Sequence, residues 1–261
     1  MDLGLKGKNA IITGASQGIG QAIAYSLAAE GCNVAIGARD QGRIDATVAE
    51  IESKGAKGIG IICDLSSEAG CQKFVEDANA AMGGVQILVN NVGGMIPGTL
   101  DSMGEDVWGT AINLNLMAAV YTTKHAIPHL KKNDHARILN VSGISGTQLL
   151  PGSLTTTIPN TALIGFNKLM AADLGTSNIT VNNICPGMTA TDSWVPRAEA
   201  MAKVRDTTSN NLRDSFSAQT MLGRWAQPQE IGDVAAFLVS DRNSYMTGTT
   251  VEVCGGLTKY I

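Results

Sequence analysis

The first residues able to do chemistry are the glycines of Thr13-Gly14-Ala15-Ser16-Gln17-Gly18-Ile19-Gly20, spaced G-x-x-x-G-x-G between an apolar run and a segment of helical period. A strand, a glycine turn and a helix start in that order make a cradle for a dinucleotide pyrophosphate. Glycine takes positive φ there, keeps Cβ atoms away from the phosphates and lets the helix N-terminus face their charge. The pattern predicts a helix starting on Gly20. The second apolar run ends in Gly37-Ala38-Arg39. At that place an acidic side chain would accept from a ribose 2′-hydroxyl and a basic one would pair with a 2′-phosphate. Counted from Gly20, Ala38 occupies the acidic position and Arg39 the next, so NADP(H) is favoured over NAD(H), with Asp40 as an opposing charge beside it.

These residues need a scaffold, and the rest of the chain predicts one. Short β-branched runs alternate with longer segments of helical period, which implies an α/β fold: a Rossmann-like, doubly wound parallel sheet of about seven strands with helices on both faces. Strands are expected at Asn9 to Thr13, Asn33 to Ala38, Lys57 to Ile62, Gln86 to Asn90, Arg137 to Ser142, Thr180 to Cys185 and Thr249 to Val253. Nearly continuous apolar runs fit strands covered on both sides. Residues 1–261 read as a single domain in which a segment at about 188–224, strandless and inserted at the carboxyl edge of the sheet, covers a ligand.

Composition narrows the partners. The 261 residues carry 19 Lys and Arg against 23 Asp and Glu, with no basic cluster of the kind nucleic acid requires. No apolar run approaches the roughly 20 residues needed to span a bilayer, and the first residues lack the apolar core of a signal peptide, so a cytoplasmic protein with a small-molecule partner is expected. Five scattered cysteines, none spaced Cys-x-x-Cys, suggest reduced, buried thiols rather than disulfides or a zinc site. His125 and His129 stand one helical turn apart, a spacing that suits a metal but is more economically read as surface or interface; no metal is expected.

From end to end the sequence resembles the classical short-chain dehydrogenase/reductase family. Asn90-Asn91-Val92-Gly93 resembles its N-N-A-G, Asp64-Leu65 its adenine-contacting pair, and Pro186-Gly187-Met188-Thr189-Ala190-Thr191 its P-G-x-x-x-T segment. Gly223-Arg224, Pro228, Glu230-Ile231, Tyr245-Met246-Thr247-Gly248 and Gly255-Gly256 resemble its C-terminal run. The resemblance implies cofactor contacts from Gly14, Ser16, Gln17, Gly18, Ile19, Gly20, Arg39, Asp64, Leu65, Asn91 and Gly93, and from Pro186, Gly187, Thr189 and Thr191 around the nicotinamide. It also implies a homotetramer or homodimer.

In that family a serine polarises the substrate carbonyl, a tyrosine moves the hydroxyl proton, a lysine lowers the tyrosine pKa and holds the ribose, and an asparagine positions a relay water. The serine maps to Ser142 and the asparagine to Asn115. The tyrosine and lysine are missing: register with the helix containing Thr161 to Leu174 puts Thr156 and Asn160 in their places, and a slip of one residue puts Thr155 and Pro159 there. Lys168 is too far along the helix to substitute and is expected to face solvent or a packing seam. A threonine hydroxyl has no accessible anion near neutrality, so it relays a hydrogen bond but is no efficient acid or base; Asn160 keeps only a neutral donor for the ribose.

Three substitutes for the lost groups suggest themselves: Tyr260 in the C-terminal tail, the His125 and His129 pair, or a water chain held by Ser142, Thr156 and Asn160. Trp194, Met201, Phe216 and Met221 would make the cover partly apolar. Arg197, Arg205 and Arg213, eight apart, could meet an anion but are more simply a solvated face. Gly93 to Pro97 and Gln148 to Gly152 would form the remaining walls. The expected function is NADP(H)-linked oxidoreduction of a small carbonyl or alcohol with an altered proton path. The alternatives are a non-redox lyase, isomerase or cyclase on the same scaffold, or a catalytically silent cofactor-binding subunit.

Overall fold

The structure, a computed structural model, describes residues 2–96, 98–148, 152–204 and 206–259, without the side chains of Arg197, Ala200, Lys203 and Val204. Pro97, Leu149, Leu150, Pro151, Arg205 and Tyr260, each named above, lie outside the described residues, as does the Arg197 side chain.

The β-branched runs form strands β1 (Asn9–Thr13), β2 (Asn33–Ala38), β3 (Gly58–Ile62), β4 (Ile87–Asn90), β5 (Ala136–Val141), β6 (Ile179–Pro186) and β7 (Thr250–Val253). All pair in parallel, in the order β3-β2-β1-β4-β5-β6-β7. The helices are α1 (Gly18–Ala29), α2 (Gln41–Ser53), α3 (Glu68–Met82), α4 (Glu105–Ile112), α5 (Ala118–Leu130), α6 (Leu154–Leu174), α7 (Trp194–Val204), α8 (Ser209–Gln219) and α9 (Pro228–Leu238). A π-turn at Asn113–Met117 joins α4 to α5. Order reverses between β1 and β4, so the chain leaves these neighbours in opposite directions and opens a crevice at their carboxyl ends.

Two apolar clusters fill the two faces. One gathers Ile12, Ile23, Leu27, Ile36 and Ile231 between the sheet, α1 and α9; the other gathers Ile11, Phe74, Leu88, Leu130 and Val181 between the sheet, α3 and α5. Central strands are buried on both faces as their runs suggest. The edge strands differ, because each lacks a neighbour on one side: β3 alternates buried with exposed residues toward its end, and β7 is half-buried throughout. The α1 start also differs from expectation. It lies at Gly18, because Gly18 closes the turn at φ +63° and the backbone is helical from there.

All five cysteines are buried and free. Burial pushes the Cys32 thiol up to about 12 against weaker lowering by the Lys8 charge and the Ala10 amide, and burial, then Cys71, pushes Cys63 to about 12. Both titrate at about 9.0 when unburied, so above that pH the unfolded chain sheds protons that the folded chain keeps. Stability is therefore complete below pH 9 and declines as pH rises toward 12. Urea midpoints should stay level from pH 7 to 9 and fall beyond it, and Cys32→Ala should make that decline shallower whatever it does to the midpoint at neutrality.

Candidate active site

A cleft of about 410 Å³ runs along the carboxyl ends of β1 to β5, from Arg39 and Arg43 at one end to Ser142, Thr156 and Asn160 at the other. Its middle is the glycine turn. Gly14 and Gly18 have φ of +65° and +63°, which glycine adopts freely. Gly20 has ordinary φ and is required for another reason. A Cβ there would come within 2.3 Å of Asn91 Nδ2 and 2.7 Å of the Gly14 carbonyl. The Asn91 amide donates to the carbonyls of Thr13 and Gly14, both at 3.0 Å, so the end of β4 staples the turn. Thr13 completes the joint, its Oγ1 accepting from the Asn91 and Val92 amides at 2.8 and 3.1 Å. Gly20→Ala should break this joint and lower stability by about 2 kcal/mol or more by overpacking; a thermal unfolding midpoint within a degree of the natural chain would contradict it. The N-cap of α1, Gln17, makes no side-chain bond to the first turn, so the turn's amides are left to the cleft.

At the β2 end the charges are sorted. Asp40 caps α2, accepting from the Arg43 amide at 3.0 Å, and its carboxylate lies 3.8 Å from Arg43 Nε. Arg43 also donates to Gln17 Oε1. Asp64 accepts from the amide and hydroxyl of Ser66 at 3.0 and 2.7 Å; these bonds, and after them the Arg39 charge, hold its pKa below the usual carboxylate value. All four line the cleft, but the acids are bonded to their own local backbone beside Arg39 and Arg43.

At the other end Asn115, on the π-turn, donates to the carbonyls of Ala111 and Gly94, both at 2.9 Å, and accepts from the Gly94 amide at 2.8 Å. The side chain that follows the widened turn thereby supplies Ala111 with a donor and clamps the loop after β4. Ser142, just past β5, accepts from Asn183 Nδ2 at 2.9 Å, donates to the Ile184 carbonyl at 3.3 Å and lies 3.1 Å from Cys185 Sγ. On α6, Thr156 donates to the Ser153 carbonyl at 3.0 Å and Asn160 to Ser145 Oγ at 3.0 Å. Thr156 and Asn160, one helical turn apart, line the cleft; Thr155 and Pro159 are buried and do not, Thr155 being bonded to Ile96.

Of the other residues singled out from the sequence, Ser16, Gln17, Ile19, Leu65, Gly93 and Thr191 also line the cleft, and Pro186, Gly187 and Thr189 do not. Gly187 packs against the end of β7, where a Cβ would come within 2.7 Å of Cys254 Cα, and Thr189 turns its hydroxyl to the Gly187 carbonyl. Trp194 meets both Phe216 and Trp225 edge-on, with Arg213 over the Trp225 ring, so these residues tie α7 and α8 to the chain entering α9. Met221 is exposed. Lys168 reaches the Gly248 carbonyl at the surface. His125 and His129 lie 3.3 Å from Glu68 and Glu76 of α3.

The comparisons with known proteins agree with this architecture. Residues 14–258 match the sequence profile of a family described as enoyl-(acyl carrier protein) reductase. The chain is 32% identical to the uncharacterized oxidoreductase YvrD of Bacillus subtilis, over 99% of each chain. It is also 32% identical to the 3-oxoacyl-[acyl-carrier-protein] reductase FabG of Staphylococcus aureus, over 96% of this chain and 98% of that one. The chain belongs to the short-chain dehydrogenase/reductase family. L-sorbose reductase of Gluconobacter frateurii, solved with NADPH and L-sorbose, superposes over the whole of both chains with a TM-score of 0.94 at 30% identity. These relatives are oxidoreductases, and the cleft of this chain lies at the switch point of its sheet.

Every lining side chain with an ionisable group, Arg39, Asp40, Arg43, Cys63 and Asp64, sits at the β2 and β3 end; the half around Ser142 has none among the described residues. Sequence reasoning did not single out Arg43, Thr13 as the anchor of Asn91, or Asn183 behind Ser142. Arg43 was legible as a second arginine four residues after Arg39, and Asn183 as a polar residue inside an apolar strand.

No helix among the described residues is long and apolar enough to cross a membrane.

Proposed function

We propose that this chain binds NADP(H) and transfers hydride between it and a small carbonyl or alcohol, with the proton path altered because Thr156 and Asn160 stand where the family has tyrosine and lysine. The observation that carries the reading is the single cleft joining an arginine pair to Ser142 across the glycine turn. The residues fit the cofactor: positive-φ glycines and open helix amides suit the pyrophosphate, and Arg39 with Arg43 suits a 2′-phosphate. When bound, the nicotinamide supplies or accepts the hydride. The chain's part is to hold it beside Ser142, whose hydroxyl would donate to the substrate oxygen; Asn160 would offer the ribose a neutral bond, and Thr156 a relay through water. The segment at 188–224, packed through Trp194 and Phe216 against Trp225, would cover the substrate.

A second reading is favoured by the absence of an ionisable lining group near Ser142: the cleft would bind the nucleotide for non-redox chemistry or as a silent subunit. Calorimetry with NADPH and NADH, followed by absorbance of the reduced nicotinamide with a panel of ketones, separates the two. Tight NADPH binding with oxidation supports the reductase; tight binding without oxidation supports the second reading; no binding overturns both.

We also propose a homodimer or homotetramer. Along α6 the exposed residues Ile158, Ala162, Gly165, Leu169 and Ala172 alternate by four and three, a stripe suited to a second copy of the helix. Leu169→Glu should shift sedimentation toward the monomer with unchanged circular dichroism, and an unaltered assembly would place the interface elsewhere.

A further inference from the structure

Asn183 is fully buried in the middle of β6, among Val181, Ile184 and Cys185. Its register partner on β5 is Asn140, whose own partner on β4 is Asn90, so three amides cross the sheet in one row. Asn90 and Asn140 bond to each other and onward to Thr123 and Asn167. Asn183 does not follow them. Its Nδ2 donates to Ser142 Oγ at 2.9 Å and lies 3.4 Å from Cys185 Sγ, and its Oδ1 has no partner among the described residues. A buried amide with an unpaired oxygen is costly in a strand interior. An apolar residue would serve packing better, so its one good bond, to Ser142, is where its use lies.

We propose that Asn183 is a positioning residue that sets the direction of the Ser142 proton, aiming it at the substrate oxygen. A serine hydroxyl has one hydrogen and two lone pairs. With one lone pair occupied by Asn183, the hydrogen must find another acceptor. The Ile184 carbonyl, which also accepts the Ser142 backbone amide at 3.0 Å, accepts the hydroxyl only at 3.3 Å, and the Cys185 sulfur at 3.1 Å is a weak acceptor. Both bonds are poor ones, so an acceptor in the cleft is the better direction for the hydrogen. The same N–H bond supports negative charge growing on Oγ as its hydrogen is drawn toward a carbonyl. Where the family's tyrosine and lysine are lacking, this polarised hydroxyl is the strongest donor left at that end of the cleft.

The kinetic part of the test rests on the hydride-transfer reading; the structural part does not. Neutron diffraction from deuterium-exchanged crystals of the natural chain should show the deuterated Nδ2 of Asn183 facing Ser142 and the Ser142 deuteron turned to the cleft. An amide with Oδ1 facing Ser142 overturns the proposal, whatever the enzyme does.

In steady-state oxidation of NADPH with ethyl acetoacetate, Asn183→Leu should lower kcat about tenfold, with KM for NADPH unchanged and a urea midpoint equal to or above that of the natural chain. An unchanged kcat, or a loss that follows a fall in stability, overturns it. Asn183→Asp should be slower still when ionised, since a carboxylate would capture the Ser142 proton, and should recover as the pH falls and the carboxyl becomes a donor. The titratable groups beside it are the Cys185 thiol on β6 and Glu252 on β7, paired in register with Cys185; Asn140 on β5, Ser142 just past it and Asn167 on α6 do not titrate. A natural chain that binds NADPH but leaves ethyl acetoacetate and the ketone panel unreduced fails the hydride-transfer reading, and the diffraction result then decides this proposal alone.

Discussion

Thr156→Tyr combined with Asn160→Lys raises kcat for ketone reduction with NADPH by about 10²- to 10⁴-fold, the range that a positioned acid or base contributes. The two positions are one helical turn apart and line the same cleft as Ser142, so a phenol and an ammonium placed there face the same substrate oxygen and each other. The ammonium lowers the phenol's pKa toward neutrality, which makes it an effective donor. Thr156 supplies nothing comparable, since its hydroxyl, bonded to the Ser153 carbonyl, has no accessible anion near neutrality and can relay a hydrogen bond only by giving that one up. Tyrosine alone should give part of the gain, and lysine alone none, with lower thermal stability because Asn160 is buried against Ser145. The pH profile is the sharper test. Among the described residues no lining group near Ser142 ionises, so the kcat of the natural chain should be flat from pH 6 to 8, whereas the double variant should lose reductase activity as its tyrosine deprotonates. Unchanged kcat with intact NADPH binding would mean that the cleft has been reshaped for other chemistry.

The sheet was legible because its strands are short runs of Ile and Val whose only competitor, a buried helix, is longer; Asn9–Thr13 and Asn33–Ala38 match to the residue. The ends that drifted are those where register with a neighbour decides: β6 gains Ile179 and Pro186 by pairing with β5 and β7. The glycine turn was legible as a spacing but not in its cause, because the reason for Gly20 is an amide from a residue seventy-one positions later. Charge roles were hidden in the same way. Asp40 reads as a rival to Arg39 until the structure shows it capping α2, and Arg43 draws no attention until the cleft is seen to include it. Asn115 reads as the holder of a water, yet both its amide hydrogens are taken by Ala111 and Gly94, leaving only acceptor capacity on Oδ1. Local pattern conveys which side chains are available, and the third dimension decides which of their bonds are already made.

That distinction governs the cofactor end. Arg39→Ala with Arg43→Ala should weaken NADPH binding by about 10²- to 10³-fold and leave NADH within about threefold, as calorimetry at fixed salt would show. Each guanidinium can offer a 2′-phosphate charge-assisted bonds of about 1.5–3 kcal/mol, roughly 10- to 100-fold apiece. The pair falls short of the product because both serve one phosphate and both are solvated. Asp40 does not cancel Arg39, since its carboxylate is engaged by the α2 N-terminus and Arg43. The NADPH affinity of the natural chain should also fall more steeply with salt than that of the double variant, because the bonds that two alanines cannot make are ionic. Arg39→Lys separates charge from shape: a lysine keeps the charge but not the planar fork, so an intermediate loss is expected. Equal losses for NADPH and NADH would instead assign the arginines to holding α2 and the adenine wall, and undiminished NADPH binding would move the 2′-phosphate away from this end of the cleft.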